Sequence, residues 1–255
     1  MKFRGLVERF WRDRSVKRHL PKEFGGRPII VSPDAALRWL RLDESAFEQT
    51  LLTVIKHCIT PGMVVWDIGA NVGAFAFPAA YRSRAHVVAV EADPFLAGLL
   101  RRTASDPANA DLKVEIFCAA VSDRPGAARF LIAGRGRASS GLDSGNLSTQ
   151  HGKSRAEMTV PTLSLDAMLA DFPEPGFVKI DVEGSELLAL AGAERLLTQV
   201  RPIVYLEVND VTRDSACRHL QTAGYDLFDG DAAPDERAPI DPLTNHNILA
   251  IPRPY

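Results

Sequence analysis

Val64-Val65-Trp66-Asp67-Ile68-Gly69-Ala70-Asn71-Val72-Gly73 decides how this chain folds. An apolar strand over 63–68 carries a carboxylate near its end. A turn of small residues follows, and the pattern then predicts a helix over 73–82. A strand–turn–helix of this kind brings a ligand against bare backbone at the carboxyl end of a buried strand. A second strand over 86–91, with Val87-Val88-Ala89-Val90 at its centre, ends in Glu91. An acid at the tip of the second strand is placed to hold the two hydroxyls of a ribose.

The turn reads Gly69-x-Asn71-x-Gly73, not the G-x-G-x-x-G of dinucleotide sites, whose second glycine admits a pyrophosphate to a helix N-terminus. Asn71 stands in place of that glycine, and the last glycine comes one residue early. Asp67 adds negative charge before the turn, which disfavours a diphosphate and suits an ammonium group. S-adenosylmethionine has that group and a ribose, and carries no phosphate. The plain alternative is a strand–helix turn that needs glycine for geometry alone.

Outward from this unit, strands alternate with helices. Asp93-Pro94 opens a helix, with aspartate as N-cap and proline at the first helical position. A third strand is expected at about 112–118. Phe177-Val178-Lys179-Ile180-Asp181-Val182-Glu183-Gly184-Ser185-Glu186 reads as a fourth strand with strict alternation, Lys179, Asp181 and Glu183 sharing one face. A helix over 185–198 follows it. The strand Pro202 to Val208 places Tyr205 and Glu207 on one side, with Asn209 beyond. Helix 212–223, strand 225–228, a polar loop over 229–244 and a last strand, Asn247 to Ile251, complete the pattern. Alternation of this kind predicts an α/β fold with a mostly parallel sheet, right-handed crossovers and a ligand crevice at the carboxyl ends of the strands.

Two segments stand apart. The first 23 residues carry eight lysines and arginines against three acids, and Phe3, Leu6, Val7, Phe10 and Trp11 recur at helical spacing. They read as a basic amphipathic helix, which either meets an anionic membrane surface or docks on the domain or on a second copy of the chain. A strand from Arg27 to Ser32, a short helix or turn from Asp34 to Leu42, and a helix over 45–59 follow. Residues 133–155, rich in glycine, serine and arginine, have little to bury and are expected to be a lid or a disordered loop. Arg135, Arg137, Ser139 and Ser140 in it could grip an acidic or sugar acceptor.

Composition bounds the function. Over 255 residues, 46% hydrophobic and 24% charged content are those of a globular protein with a full core, enough for one large α/β domain and a lead segment. A net charge of -2 gives no general attraction to nucleic acid. Cys58, Cys118 and Cys217 form no C-x-x-C pair, so neither zinc nor a disulfide framework is indicated, and a reducing cytoplasm fits. No run of 18 apolar residues suggests a membrane span, and the N-terminus lacks the apolar stretch of a signal peptide.

The chain resembles the FkbM family of S-adenosylmethionine-dependent methyltransferases over roughly residues 46–251. The resemblance rests on Phe47-Glu48, Pro61-Gly62, Asp67 to Gly73, Glu91-Ala92-Asp93-Pro94, Ala119 to Asp123, Lys179 to Glu186, Glu207 and Asn247 to Ile251. The Lys-Ile-Asp-Val-Glu-Gly-Ser-Glu block is its most specific part. Ser185 departs from the family, which often has alanine there. The resemblance implies a seven-stranded class I methyltransferase (Rossmann-like) sheet with an antiparallel last strand, in a domain over 46–255 preceded by the lead segment 1–45. It also implies methyl transfer to a hydroxyl oxygen of a sugar, glycan or glycolipid, or natural product.

In that frame Asp67, Gly69, Ala70, Asn71, Gly73, Glu91 and Ala92 are expected to hold the cofactor, with Ala120 and Val121 near the adenine and Asp181 at the reacting end. An alcohol needs a base or a metal to become a nucleophile at neutral pH. Asp181, Glu183 and Glu207, with Lys179 nearby, are the candidates for either a general base or the oxygen ligands of a divalent cation such as magnesium. Alternatively Lys179 neutralises Asp181, and Glu183 caps the following helix. His246, just before the last strand, is a further base candidate. N-methyl transfer lacks the expected Asn-Pro-Pro-Tyr or Asp-Pro-Pro-Tyr motif. A non-catalytic cofactor-binding protein is the reading from another class, and the glycine turn disfavours a nicotinamide dehydrogenase.

Overall fold

The computed structural model describes residues 7, 9–134, 136–143, 154–232 and 246–254. Its first strands, β1 (Val16–His19) and β2 (Pro28–Val31), form an antiparallel pair. A helix α1 (Gln49–Cys58) leads into β3 (Val65–Ile68), α2 (Ala76–Ser83), β4 (Val87–Val90), α3 (Pro94–Ala104) and β5 (Val114–Phe117). Then come β6 (Ala120–Val121), β7 (Gly126–Ala133), β8 (Gly141–Leu142) and β9 (Ser154–Leu163). The chain continues through the short α4 (Leu165–Met168), β10 (Phe177–Ile180), α5 (Glu186–Ala191), β11 (Ile203–Glu207), α6 (Arg213–Thr222), β12 (Tyr225–Asp229) and β13 (Asn247–Pro252).

Seven strands make the main sheet in the order β12-β13-β11-β10-β3-β4-β5, and β13 runs antiparallel to both its neighbours. The connections leave β3 in opposite directions, through β4 to β5 on one side and later to β10 and β11 on the other. The point where strand order reverses therefore lies between β3 and β10, and there the carboxyl ends open a crevice. This is the class I methyltransferase architecture. The central strands β3, β4 and β10 are buried at every position, which is why they read as near-continuous apolar runs. Trp66, Ile68, Val88, Val178, Ile180 and Leu206 pack against α4, α5 and α6. Val65, Val87, Ala89, Phe177 and Tyr205 pack against α1, α2, α3 and the lead segment.

A second sheet, ordered β6-β9-β7-β8, is inserted between β5 and β10. Residues 136–143 thus have structure where the sequence suggested a lid or disorder. A 3-10 turn, Arg137–Ser139, precedes β8, and Ala133 N–H donates to Ser140 Oγ at 3.1 Å. Arg135 and residues 144–153 lie outside the described residues.

The lead segment differs from expectation more sharply. Residues 16–19, assigned from sequence to a basic helix running through 1–23, are a strand. Val16 and Arg18 alternate inward in that strand, and pairing with Pro28–Val31 satisfies its backbone. Residues 7, 9 and 10 are helical, and residues 1–6 and 8 of the expected helix lie outside the described ones. Leu20, Phe24, Ile29, Val31 and Trp39 enter the main core. Ile30 N–H donates to Thr103 Oγ1 (2.9 Å), which fastens β2 to α3. The helix expected over 185–198 also breaks: α5 ends at Ala191, and a π-helical turn occupies Leu196–Val200. Gly192 sits between them because a Cβ there would lie 2.5 Å from the Ser122 carbonyl oxygen. Among the described residues no helix is long and apolar enough to cross a membrane.

Candidate active site

The turn after β3 is built from left-handed backbone: φ is 78° at Gly69, 52° at Asn71 and 87° at Gly73. Glycine and asparagine reach that region at least cost, which explains the residue types. Gly69 has a second reason, since a Cβ there would collide with the backbone carbonyl of Asp181 at the tip of β10. The helix starts at Ala76, three residues later than the sequence pattern predicts, because the turn consumes 69–75. The tip of β4 holds the turn. Gly69 and Ala70 N–H groups both donate to the Val90 carbonyl at 2.9 Å. Glu91 accepts from Asn71 N–H through one oxygen and from Asp93 N–H through the other, each at 2.7 Å. Burial pushes the Glu91 carboxyl up to about 7, against those two hydrogen bonds.

Two cavities meet at this turn. The first, about 540 Å³ measured out to its open mouth, is walled by Gly69, Asn71, Glu91, Ala92, Ala119, Ala120 and Val121 on the sheet side. Phe130, Arg137, Ser140, Gly141 and Leu142 of the inserted sheet cover it, and Asp181, Val182, Glu183 and Ser185 close its end. Two buried polar atoms on its wall, Asn71 Oδ1 and Ser185 Oγ, have no hydrogen-bond partner. A buried polar atom without a partner is costly unless a ligand completes it. The second cavity, about 760 Å³, is lined by Arg38, Trp39, Glu48, Ala70, Phe75, Lys179 and Glu207 among others. Gly69, Asn71, Asp181 and Glu183 line both.

The charged groups at the junction are tightly coupled. Lys179 pairs in register with Asp67 across the β3–β10 ladder and is buried. Its ammonium lies 3.0 Å from Asp181 and 3.6 Å from Asp67. Burial alone would lower the Lys179 ammonium, but the Asp181 and Asp67 charges hold it above its usual value. Asp67 takes the weaker share: burial pushes its carboxyl up to about 6, with Lys179 opposing. Burial, followed by the Asp181 charge, drives Glu183 up to about 9, so it carries a proton at neutral pH. Glu207 is exposed to the second cavity, and the Asp181 charge is the main cause that pushes it up to about 7.

Several expected residues sit differently from the pattern that suggested them. β10 ends at Ile180, so Glu183 does not share the strand face of Lys179 and Asp181. It reaches the cavity from a left-handed turn (φ 48°). Glu186, not Glu183, accepts the Gly184 N–H at 2.6 Å. Asp67 is fully buried and lines neither cavity, so it acts on the site through Lys179. His246 is exposed, its Nδ1 lies 3.0 Å from the Val208 carbonyl, and it lines neither cavity.

No sequence signal singles out Arg38, which stands in a segment that reads only as a short helix or turn. It is salt-bridged to Glu48. Arg137, read as a lid residue, is a structural tie. Its guanidinium reaches Asp93 (2.5 Å), Asp34 (2.9 Å) and Asp13 (2.5 Å), so it joins the lead segment to the α3 N-cap beneath the inserted sheet.

Residues 67–227 match the model of the methyltransferase FkbM domain. The chain belongs to the FkbM methyltransferase family. Among solved structures it is similar to the FkbM methyltransferase of Methylobacillus flagellatus KT, at 14% identity and a TM-score of 0.48, over 86% of this chain and 58% of that one. A TehB-like methyltransferase from Corynebacterium glutamicum shares 11% identity, TM-score 0.47, over 86% and 95% of the two chains. Magnesium protoporphyrin IX methyltransferase from Synechocystis PCC 6803, solved with bound S-adenosylmethionine, shares 13% identity, TM-score 0.46, over 80% and 79%. No curated protein matches the chain in sequence.

This FkbM methyltransferase is S-adenosylmethionine-dependent, and its residues suit that cofactor. The first cavity offers an acid at the β4 tip, an apolar Ala119–Val121 wall and the partnerless Asn71 Oδ1. A divalent cation fits less well. Among the described residues no three acidic, histidine or cysteine side chains are grouped to hold one. The Lys179 ammonium, 3.0 Å from Asp181, already supplies positive charge there, and the expected Asp181–Glu183–Glu207 ligand set is not assembled among the described residues.

Proposed function

We propose that this enzyme methylates a hydroxyl oxygen of a sugar, glycan or natural-product acceptor. The observation that carries the reading is Asp181, a carboxylate on the wall shared by both cavities, with Glu207 beside it in the second. The first cavity takes the cofactor: Glu91 accepts from the ribose hydroxyls, Ala120 and Val121 flank the adenine, and Asn71 and Ser185 complete their hydrogen bonds. The second cavity takes the acceptor. When bound, S-adenosylmethionine supplies an electrophilic methyl group on a sulfonium.

The protein's part is alignment and proton removal. In-line displacement rewards fixed geometry, and most of the rate comes from holding the hydroxyl oxygen against the methyl carbon. Asp181, oriented by Lys179, accepts the hydroxyl's hydrogen bond. Glu207, whose carboxyl sits near 7, takes the proton as the C–O bond forms. Protonated Glu183 donates a hydrogen bond at the junction and adds no repulsion.

Titration calorimetry with S-adenosylmethionine and its demethylated product tests the first half. Micromolar binding, weakened at least tenfold in Glu91→Ala and unchanged by magnesium, is expected. Mass spectrometry of hydroxylated sugars and amino sugars incubated with the enzyme and cofactor tests the second. A gain of one methyl on oxygen supports the reading, and methylation on nitrogen would overturn it.

A further inference from the structure

Next to the acceptor cavity lies a third, wider cleft of about 1240 Å³, measured out to its open mouth. Ala36, Arg38 and Ala138 line both, so the two are continuous past the Arg38 side chain. The wider cleft is basic: Arg12, Arg38, Arg41 and Arg155 line it against one carboxylate, Asp34. That carboxylate is already saturated. Arg155 grips it with two bonds (2.8 and 2.6 Å), and Arg137 adds a third at 2.9 Å. These contacts hold Asp34 below its usual value despite burial.

Arg12 and Arg41 have no carboxylate partner among the described residues, and the Arg41 guanidinium donates to a neutral carbonyl, that of Ser45, at 2.9 Å. Arg41 also repels Arg38, whose guanidinium is lowered chiefly by burial, with the Asp181 and Glu207 charges opposing and the Arg41 charge adding a smaller share. A chain of net charge -2 has thus placed two guanidinium groups without a carboxylate ion pair among the described residues on the wall that leads to Asp181 and Glu207. Guanidinium groups recognise oxyanions by paired, charge-assisted hydrogen bonds.

We propose that this cleft seats an oxyanion, a phosphate or carboxylate, carried by the acceptor, so that the substrate is a hydroxylated molecule with an acidic group set apart from the hydroxyl that is methylated. The proposal rests on the reading of the second cavity as the acceptor site. Arg12 and Arg41 bind the anion, while Arg38, tied to Glu48, stands between the anion and the carboxylates at the reacting end. The acidic group anchors the acceptor, and its reacting hydroxyl extends past Arg38 to Asp181.

The test uses the full chain saturated with S-adenosylhomocysteine, titrated with glucose 6-phosphate, glucuronic acid and methyl glucoside. One of the charged sugars should bind at least tenfold more tightly than the neutral one, and which of them does so separates phosphate from carboxylate. Arg12→Ala and Arg41→Ala should each weaken that sugar at least fivefold, and Arg41→Lys should weaken it less. S-adenosylhomocysteine affinity should stay within twofold throughout, which also shows that the variants fold. Equal binding of the charged and neutral sugars, no binding of either charged sugar, or no loss in the arginine variants would overturn the proposal. Failure of S-adenosylhomocysteine itself to bind would overturn the cofactor assignment instead.

Discussion

Lys179 and Asp67 lie side by side on neighbouring strands, ammonium to carboxylate 3.6 Å apart, and both are buried. The turn that follows Asp67 and the acid that follows Lys179 are therefore fixed by one buried charge pair. Lys179 is the main group that offsets the burial of the Asp67 carboxylate, with the Ala76 backbone N–H adding a smaller share. Lys179→Met should cost about 3–5 kcal/mol of folding stability, the usual penalty for stranding a buried charge. Adding Asp67→Asn to that variant should recover part of the loss. Urea denaturation of the two single variants and the double variant measures the coupling, and additive losses would contradict it.

With Glu207 as the proposed base, its ionisation should set the pH dependence of the rate. Its carboxyl is pushed up to about 7, and it accepts a proton only when ionised. The methylation rate should therefore rise with pH through about 7 and then level off. Glu207→Gln should lower the rate about 10²–10⁴-fold, as loss of a positioned base does, and should remove the rising limb. Initial rates between pH 5.5 and 8.5 decide this, and a rising limb that persists in the variant would assign the base elsewhere.

Much of the wall of the first cavity was legible in the sequence because its signals are local. The 64–73 run, Glu91 and the 177–186 block each concentrate strand end, turn and acid within a few residues, and the structure brings their tips together around one crevice. The second cavity and the cleft beyond it were less legible. Arg38 and Asp34 acquire their roles from residues far along the chain: Arg137 and Arg155 reach Asp34 across 103 and 121 positions. No local pattern encodes such contacts. Periodicity also overran its elements. The apolar spacing of residues 3–11 was carried through Val16–His19, whose strand form depends on a partner at 28–31. The helix after Glu183 was drawn through Gly192, where the crowding comes from Ser122 and Ser164.

Glu183 should influence stability with a sign opposite to that of a salt-bridged acid. Its folded value, about 9, lies above its ordinary 4.5, so the native state holds a proton that the unfolded chain releases. Its contribution is greatest below about 4.5 and is lost as pH rises towards 9. Glu183→Gln, which keeps the shape of the protonated acid, should flatten that slope and raise Tm at pH 8 by about 2–4 °C, the shift expected for roughly 1 kcal/mol. Glu183→Ala should not, because it also empties the cavity wall. Thermal melts of all three proteins at pH 5 and pH 8 separate these outcomes, and parallel slopes in wild type and Glu183→Gln would refute the protonated assignment.

Gly69 gives the sharpest link between fold and cofactor. Its φ of 78° disfavours any other residue, and a Cβ would press on the Asp181 carbonyl, which the β3–β10 ladder holds in place. The Asp181 N–H itself donates to the Ile68 carbonyl at 3.0 Å, so β10 cannot move back without breaking the ladder at its tip. Gly69→Ala must then either part the two strands or reshape the turn, and both displace Asn71 and Asp181 from the wall they share. The backbone strain alone is about 1–3 kcal/mol. The variant should remain folded with a lowered Tm and lose at least tenfold in S-adenosylhomocysteine affinity. Gly62→Ala, at a similar φ of 87° but with open space around it, is the control for strain without the clash. It should lower Tm and leave cofactor affinity unchanged. Equal losses of affinity in the two variants would show that the turn's approach to β10 does not shape the cofactor site.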